Sequence, residues 1–174
     1  MDFRVIIAAG LLMSGIAAPL CAAETGSSLL ANSSFSEKDQ HGNPKYWNLL
    51  SGATIIQEKN GNVLQLVNGG CYQYLLNRAL QQSPQPRKIK VTFTASGNGW
   101  LDVAFNRYSD QKDPAAPNGY KRQFFPLERT KRLFLKQDSA EYAVEYTIAA
   151  NEWVALNLAA ADARLSNIAV YLIK

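Results

Sequence analysis

Trp100, Asp102, Asn106 and Tyr108 are spaced so that an extended backbone would carry all four on one face. Leu101, Val103 and Phe105 would then form the opposite, apolar face, and small Ala104 would leave room among the polar four. Two flat rings, an acid and an amide around a small residue can hold a sugar. The rings stack on the apolar faces of a pyranose, while the amide and the carboxylate take its hydroxyls. The same face could instead pack beneath a second sheet or a loop, because Tyr and Trp are common in such cores. Arg107, Tyr120 and Arg122 are near enough in the chain to complete a site beside Tyr108, and the arginines would favour an acidic sugar. Ser109 to Gly119 reads as a long loop bordering that site, either functional or simply a surface connection.

Other chemistry finds less material. His41 is the single histidine and has no cysteine near it, so no zinc constellation forms. No Gly-x-Ser-x-Gly elbow and no phosphate-binding glycine loop occurs. Glycoside hydrolysis needs two carboxyl groups set across a cleft. Asp102 could be drawn with Glu145 or Glu128 in that way, but exposed acids are usually only solvating charges, and an enzyme is not expected. The net charge of +4 is modest. Arg107, Lys112, Lys121, Arg122, Arg129, Lys131, Arg132 and Lys136 concentrate basic charge in one stretch. That suits a solvated face or an anionic glycan, and its scatter does not suit nucleic acid.

The elements that would position these residues follow a leader. Arg4 precedes an apolar run, Val5 to Ile16, too short to cross a membrane as a helix, and Cys21-Ala22-Ala23 offers small residues before a cut at Glu24. We expect a signal peptide over 1–23, export to the periplasm or the medium, no membrane span, and a single domain over 24–174. Lipidation of Cys21 is a lesser alternative, disfavoured by the bulk of Leu20. Cys71 would then be an unpaired cysteine, best read as a small buried hydrophobe.

The rest is a succession of short strand signals: Leu29 to Phe35, Tyr46 to Leu50, Ala53 to Glu58, Val63 to Val67 and Cys71 to Leu76. Asn60-Gly61 marks a tight hairpin, and Asn68-Gly69-Gly70 is read as ending the fourth strand. Lys88 to Ala95 alternates cleanly, with Ile89, Val91 and Phe93 against Lys90, Thr92 and Thr94. Trp100 to Tyr108, Lys121 to Phe125, Arg132 to Leu135, Tyr142 to Ile148, Trp153 to Leu158 and Ile168 to Ile173 follow. Tyr46 and Trp47 are expected to plug the core. Tyr72 and Tyr74 share one face of their strand, Cys71, Gln73 and Leu75 the other, and either could be buried. Many short strands without a helical stripe give an all-β sandwich or barrel.

Leu29-Leu30-Ala31-Asn32-Ser33-Ser34-Phe35, Gly42-Asn43-Pro44 and Trp47 resemble the opening of carbohydrate-binding modules of the family 4/9 type. Val63 to Leu66, Tyr72-Gln73-Tyr74, Ile89 to Ala95, and Trp153 to Leu158 with Ser166 to Tyr171 are similar in order to later strands of that family. The resemblance implies a β-sandwich of the galactose-binding-like jelly-roll type that binds a carbohydrate without cleaving it. A structural or protein-binding subunit of an envelope assembly is the alternative, and a small glycan-cleaving enzyme a distant third. The family often holds a structural calcium ion with acids after the first Phe and before the last strand. Here Ser36 and Ser166-Asn167 stand at those positions, so no cofactor is expected, although Glu37 and Asp39 could contribute to such a site.

Overall fold

The computed structural model describes residues 27–75, 83–117, 119–125 and 129–173. The leader expected over 1–23 lies outside the described residues, as do Leu76, Asn118 and Glu128. Among the described residues nine strands are present: β1 Asn48–Leu49, β2 Ala53–Glu58, β3 Gly61–Tyr74, β4 Arg87–Gly97, β5 Gly99–Lys112, β6 Tyr120–Phe124, β7 Thr130–Leu135, β8 Ala140–Ile148 and β9 Val154–Ile173. No helix of the described residues is long and apolar enough to cross a membrane.

All pairings are antiparallel, and the two long strands β3 and β9 pass through both layers of a sandwich. In one layer the second half of β3 and the first half of β9 run beside β1 and β5, with β7 beyond β5. In the other, the first half of β3 and the second half of β9 run beside β2, β4 and β8. Between the layers lie Leu64, Leu66, Ile89, Val91, Phe93, Leu101, Val103, Phe105, Val144, Leu156, Leu158, Leu165 and Val170, all buried. The Phe105 and Tyr146 rings meet edge to face at 4.8 Å, and the Tyr146 hydroxyl donates to the Val103 carbonyl, tying β8 to β5 across the core. This is an all-β sandwich of jelly-roll type, all-β as the strand signals imply and a jelly roll as the resemblance implies.

The structure departs from the sequence expectations in three stretches of the chain. Leu29 to Phe35 is not a strand, because Asn32 (φ 49°) and Phe35 (φ 55°) turn the chain left-handed. The Asn32 amide instead donates to the carbonyls of Glu37 and Lys45 and accepts from the Glu37 amide, folding the segment into a plug with buried Leu30, Phe35 and Trp47. Burying a ring such as Phe35 contributes roughly 1.5–3 kcal/mol. Tyr46 does not join the plug: with φ 68° it turns outward and is 54% exposed.

Second, Asn68-Gly69-Gly70 does not end a strand. β3 continues through it, and inward parity changes from Leu64 and Leu66 to Cys71, Gln73 and Leu75 at Asn68, whose φ is 45°. A Cβ on Gly69 would lie 2.4 Å from the Gly52 carbonyl carbon and 2.5 Å from the Ser51 oxygen, both backbone atoms that cannot swing aside. Gly69→Ala is therefore expected to lower unfolding free energy by about 2–3 kcal/mol. Thermal denaturation reads the effect, and an unchanged midpoint would contradict the close approach.

Third, the stretch Ala159 to Leu165, left between two expected strands, is itself strand, and β9 runs unbroken through it. Both edges are taken there, with Ala160 between Gly69 and Leu101 and Ala163 between Leu66 and Gly97, so alanines of low strand propensity are held extended by their neighbours. Cys71 is buried as expected, and burial pushes its thiol well above the ordinary range, which keeps it protonated.

Candidate functional site

Residues directly paired across strands share a face, so the registers lay out the outer surface of the first layer row by row. Asn48, Tyr72, Asn157, Ala104 and Thr130 form one row. Gly70, Ala159, Asp102 and Arg132 lie to one side of it, and Tyr74, Ala155 and Asn106 to the other. The middle of this face is floored by small side chains, Gly70, Ala104, Ala155 and Ala159, and bordered by large ones. The order of small and large follows from the sequence positions alone once the pairing is known.

β5 is longer than its partner β9 can cover, and beyond Arg107 it pairs with β6 alone. This arm curls back over the face. The Phe124 ring, carried by β6, comes 5.8 Å from Tyr72 and stacks at 5.8 Å on Tyr74, while Tyr74 and Tyr108 meet edge to face at 4.9 Å. The Arg122 guanidinium lies over both Tyr74 (4.4 Å) and Tyr108 (4.6 Å) and grips Asp110 through Nε and Nη2 at 2.6 and 2.8 Å. That pair holds the Asp110 carboxyl below its usual range. Burial pushes the Tyr74 phenol up, with Arg122 opposing the shift. Beneath the rings, Asn106 Oδ1 is buried without a hydrogen-bond partner among the described residues. Leaving such an acceptor unpaired costs roughly 1–3 kcal/mol.

At the other end of the face Arg132 grips Asp102 through Nε and Nη2, both at 2.7 Å, and its guanidinium lies 4.6 Å over the Trp100 ring. Phe134, opposite Trp100, is 78% exposed. Between the plug and Tyr74 opens a recess of about 880 Å³, lined by Asp39, Lys45, Tyr46, Trp47 and Asn48 among others.

The strip Trp100, Asp102, Asn106 and Tyr108 does share one outer face with Ala104, while Leu101, Val103 and Phe105 point into the core. Its members play unequal parts. Tyr108 is 2% exposed and supports Tyr74 and Arg122 from below. Arg107 has the opposite parity and lies over Phe125, away from the strip. Tyr120 sits opposite Lys112 at the far end of the arm. Arg122 reaches the face, but its charge is offset by Asp110, as that of Arg132 is by Asp102. The loop expected from Ser109 to Gly119 is shorter than read: Ser109 to Lys112 belong to β5. Sequence reasoning missed Asn157, Phe124, Arg132 and Phe134, and left the faces of β3 open; Tyr72 and Tyr74 prove to face outward, while Cys71, Gln73 and Leu75 are buried.

The acids named for a calcium site are engaged by their own neighbours. Asp39 Oδ1 accepts the amides of His41 and Asn43 within its own loop, which holds its carboxyl below the usual range. Glu37 faces Lys45, and no group of three or more acids, histidines or cysteines converges among the described residues. Nor does Asp102 meet Glu145, which lies on β8 opposite Lys90 in the other layer.

No protein-family model matches the chain, and no curated protein matches it. Among solved structures it is similar to the enzymatically active domain of tailspike protein 4 of bacteriophage CBA120, at 14% identity and TM-score 0.52, covering 84% of this chain and 21% of that one. It is also similar to a family 61 carbohydrate-binding module solved with β-1,4-galactotriose, at 9% identity and TM-score 0.50, covering 84% of this chain and 99% of the module. A xylan-binding family 22 module from Paenibacillus barcinonensis matches at 15% identity and TM-score 0.49, over 88% of this chain and 99% of the module. At such identities the first two likenesses speak for the fold alone, and that fold is the β-sandwich found in carbohydrate-binding modules.

Proposed function

We propose that the protein is an exported, non-catalytic glycan-binding module of the family 4/9 kind, and that the outer face of the first layer is its site. One observation carries the reading: Tyr72, Tyr74 and Phe124 are in mutual contact, Tyr72 edge-on to the other two, over a floor of small residues, with the amide of Asn157 in the same row as Tyr72. Rings provide stacking area and the amide orients hydroxyls, as a sugar requires. The sandwich is also the scaffold of a module solved with β-1,4-galactotriose, which supports the same reading by analogy of fold.

The ligand is a neutral glycan in preference to the acidic one suggested by the count of basic residues. Each arginine on the face is held by an aspartate in a two-point pair, so its donors are presented without net charge. Neutral recognition makes affinity insensitive to salt, whereas an acidic sugar would bind more weakly as ionic strength rises.

A glycan array probed with the protein, with and without a chelator, tests the reading. Binding to neutral glycans that survives chelator and high salt, and is weakened in Tyr72→Ala, is the expected result. Absence of binding to every neutral and acidic glycan would overturn it and turn attention to a protein partner.

A further inference from the structure

The hairpin of β5 with β6 and β7 carries one side-chain arrangement twice. On β5, Trp100 and Asp102 recur eight residues on as Tyr108 and Asp110. On the returning strands, Arg122 and Phe124 recur ten residues on as Arg132 and Phe134. The registers bring them together in the same way: Tyr108 faces Phe124 and Asp110 faces Arg122, just as Trp100 faces Phe134 and Asp102 faces Arg132. In each quartet the arginine makes two bonds to its aspartate and lies about one van der Waals contact above the β5 ring, at 4.6 Å in both.

The two copies differ in what covers them. The Tyr108 quartet is capped by the protein's own Tyr74, against which Arg122 and Phe124 both stack. No ring among the described residues takes the corresponding place on the Trp100 quartet, where Phe134 is 78% exposed and the Arg132 side chain 54%. The molecule thus shows what fits such a quartet: a flat ring with an apolar face and a polar edge. A pyranose has that shape and polarity, with hydroxyls at its rim for Arg132 and Asp102.

Resting on the carbohydrate reading, we infer that the Trp100–Asp102–Arg132–Phe134 quartet is a second sugar-stacking station, and that it and the Tyr72–Tyr74–Phe124 surface hold one linear glycan at two separated points. Tyr72 is level with Ala104 and Tyr74 with Asn106, four and six residues along from Trp100, which sets the spacing along the strands at roughly 13–20 Å, a few sugar units of an extended chain. The ligand class is therefore a linear polymer gripped along its length, and a lone terminal sugar is a poor ligand. Joining two weak stations through one chain raises affinity without any new contact.

Calorimetric titration with β-1,4-linked galacto-, xylo- and cello-oligosaccharides, each from the disaccharide to the hexasaccharide, tests this. For the series that binds, wild type is expected to bind at one ligand per protein, with affinity climbing through the longer members. Phe134→Ala, which alters an exposed residue, is expected to bind the shorter members as wild type does and to lose about tenfold on the hexasaccharide, about 1.4 kcal/mol. Trp100→Ala should lose as much, with thermal denaturation checking its fold. A Phe134→Ala ladder identical to wild type, equal losses at every length, or two ligands per protein would each overturn the second station while leaving glycan binding intact. Failure of wild type to bind any series would sink the carbohydrate reading and this inference with it.

Discussion

Tyr74→Ala is expected to weaken glycan binding by about a hundredfold, the largest effect of any single change on the face. The substitution removes one stacking ring and unseats two others. Phe124 loses the ring it stacks on at 5.8 Å, and Arg122 loses one of the two rings beneath it. The arm that carries Phe124 and Arg122 is otherwise attached through Phe124 to Tyr72 and through the underside contact with Tyr108. A hundredfold loss corresponds to about 2.7 kcal/mol, the scale of an aromatic anchor at the centre of a contact surface. Tyr74→Phe keeps the ring and should stay within severalfold of wild type, because stacking needs no hydroxyl. Calorimetry with a bound oligosaccharide separates the two. Equal losses in both variants would show that the phenol matters and the ring surface does not.

For stability an effect as large as that of Gly69→Ala is expected at Glu152. This carboxylate is 7% exposed, in the turn between β8 and β9. It accepts Arg129 Nη1 at 2.6 Å and Nη2 at 3.1 Å, and the Ala149 amide at 2.9 Å, tying that turn to the segment before β7. Glu152→Ala leaves a guanidinium and a backbone amide without their acceptor. Removing one partner of a buried pair costs about 3–5 kcal/mol. The Arg129 side chain is 29% exposed and can turn to water, so about 2–3 kcal/mol is expected at neutral pH.

The pH dependence has a definite sign. Burial pushes the Glu152 carboxyl up, but Arg129 and the Ala149 amide more than offset this and hold it below its ordinary value of 4.5. A depressed folded value means that the stabilisation is full above the unfolded value and is lost as pH falls through the folded one. Thermal midpoints measured from neutral pH down to about 3 should fall more steeply for wild type than for Glu152→Gln, whose side chain does not titrate there. Parallel acid limbs in the two proteins would show that the pair does not carry this stability.

How much of this was legible in the chain can be judged strand by strand. Strict alternation at Ile89, Val91 and Phe93 fixed both the strand and its inward face, and Leu101, Val103 and Phe105 did the same for β5. The Asn60-Gly61 signal marks a hairpin that exists, with Glu58 paired to Gly61. Reading failed where local preference yields to packing. Gly69-Gly70 looks like a stop because glycine weakens strands, yet here glycine is what lets β3 pass Ser51 and Gly52. The alanines of β9 fall outside the expected strands because nothing local shows that both edges are paired. Leu29 to Phe35 looks like a strand because it opens on an apolar run and closes on a ring, and the left-handed turn at Phe35 leaves no local mark.

The site was half legible for a related reason. Periodicity assigned Trp100, Asp102, Asn106 and Tyr108 to one face, but it could not show that β5 outruns β9 and that its arm folds over Tyr108. Charge counting treated Arg122 and its neighbours as free cations, whereas pairing depends on register. One signal lay in plain view: aromatic-x-Asp at Trp100 and at Tyr108, and Arg-x-Phe at Arg122 and at Arg132, in mirrored order around a turn. Cross-strand partners in a hairpin appear in such reversed order.

The claim that matters most is that the outer face of the first layer binds a neutral glycan. Amide and indole chemical shifts of the labelled protein, followed during titration with the neutral oligosaccharide that binds best, test it most directly. The account predicts shifts gathered at Tyr72, Tyr74, Phe124, Asn157 and the Trp100 indole, with the residues of β8 and β2 silent. Shifts confined to β8 or to β2, with the ring surface unmoved, would contradict it.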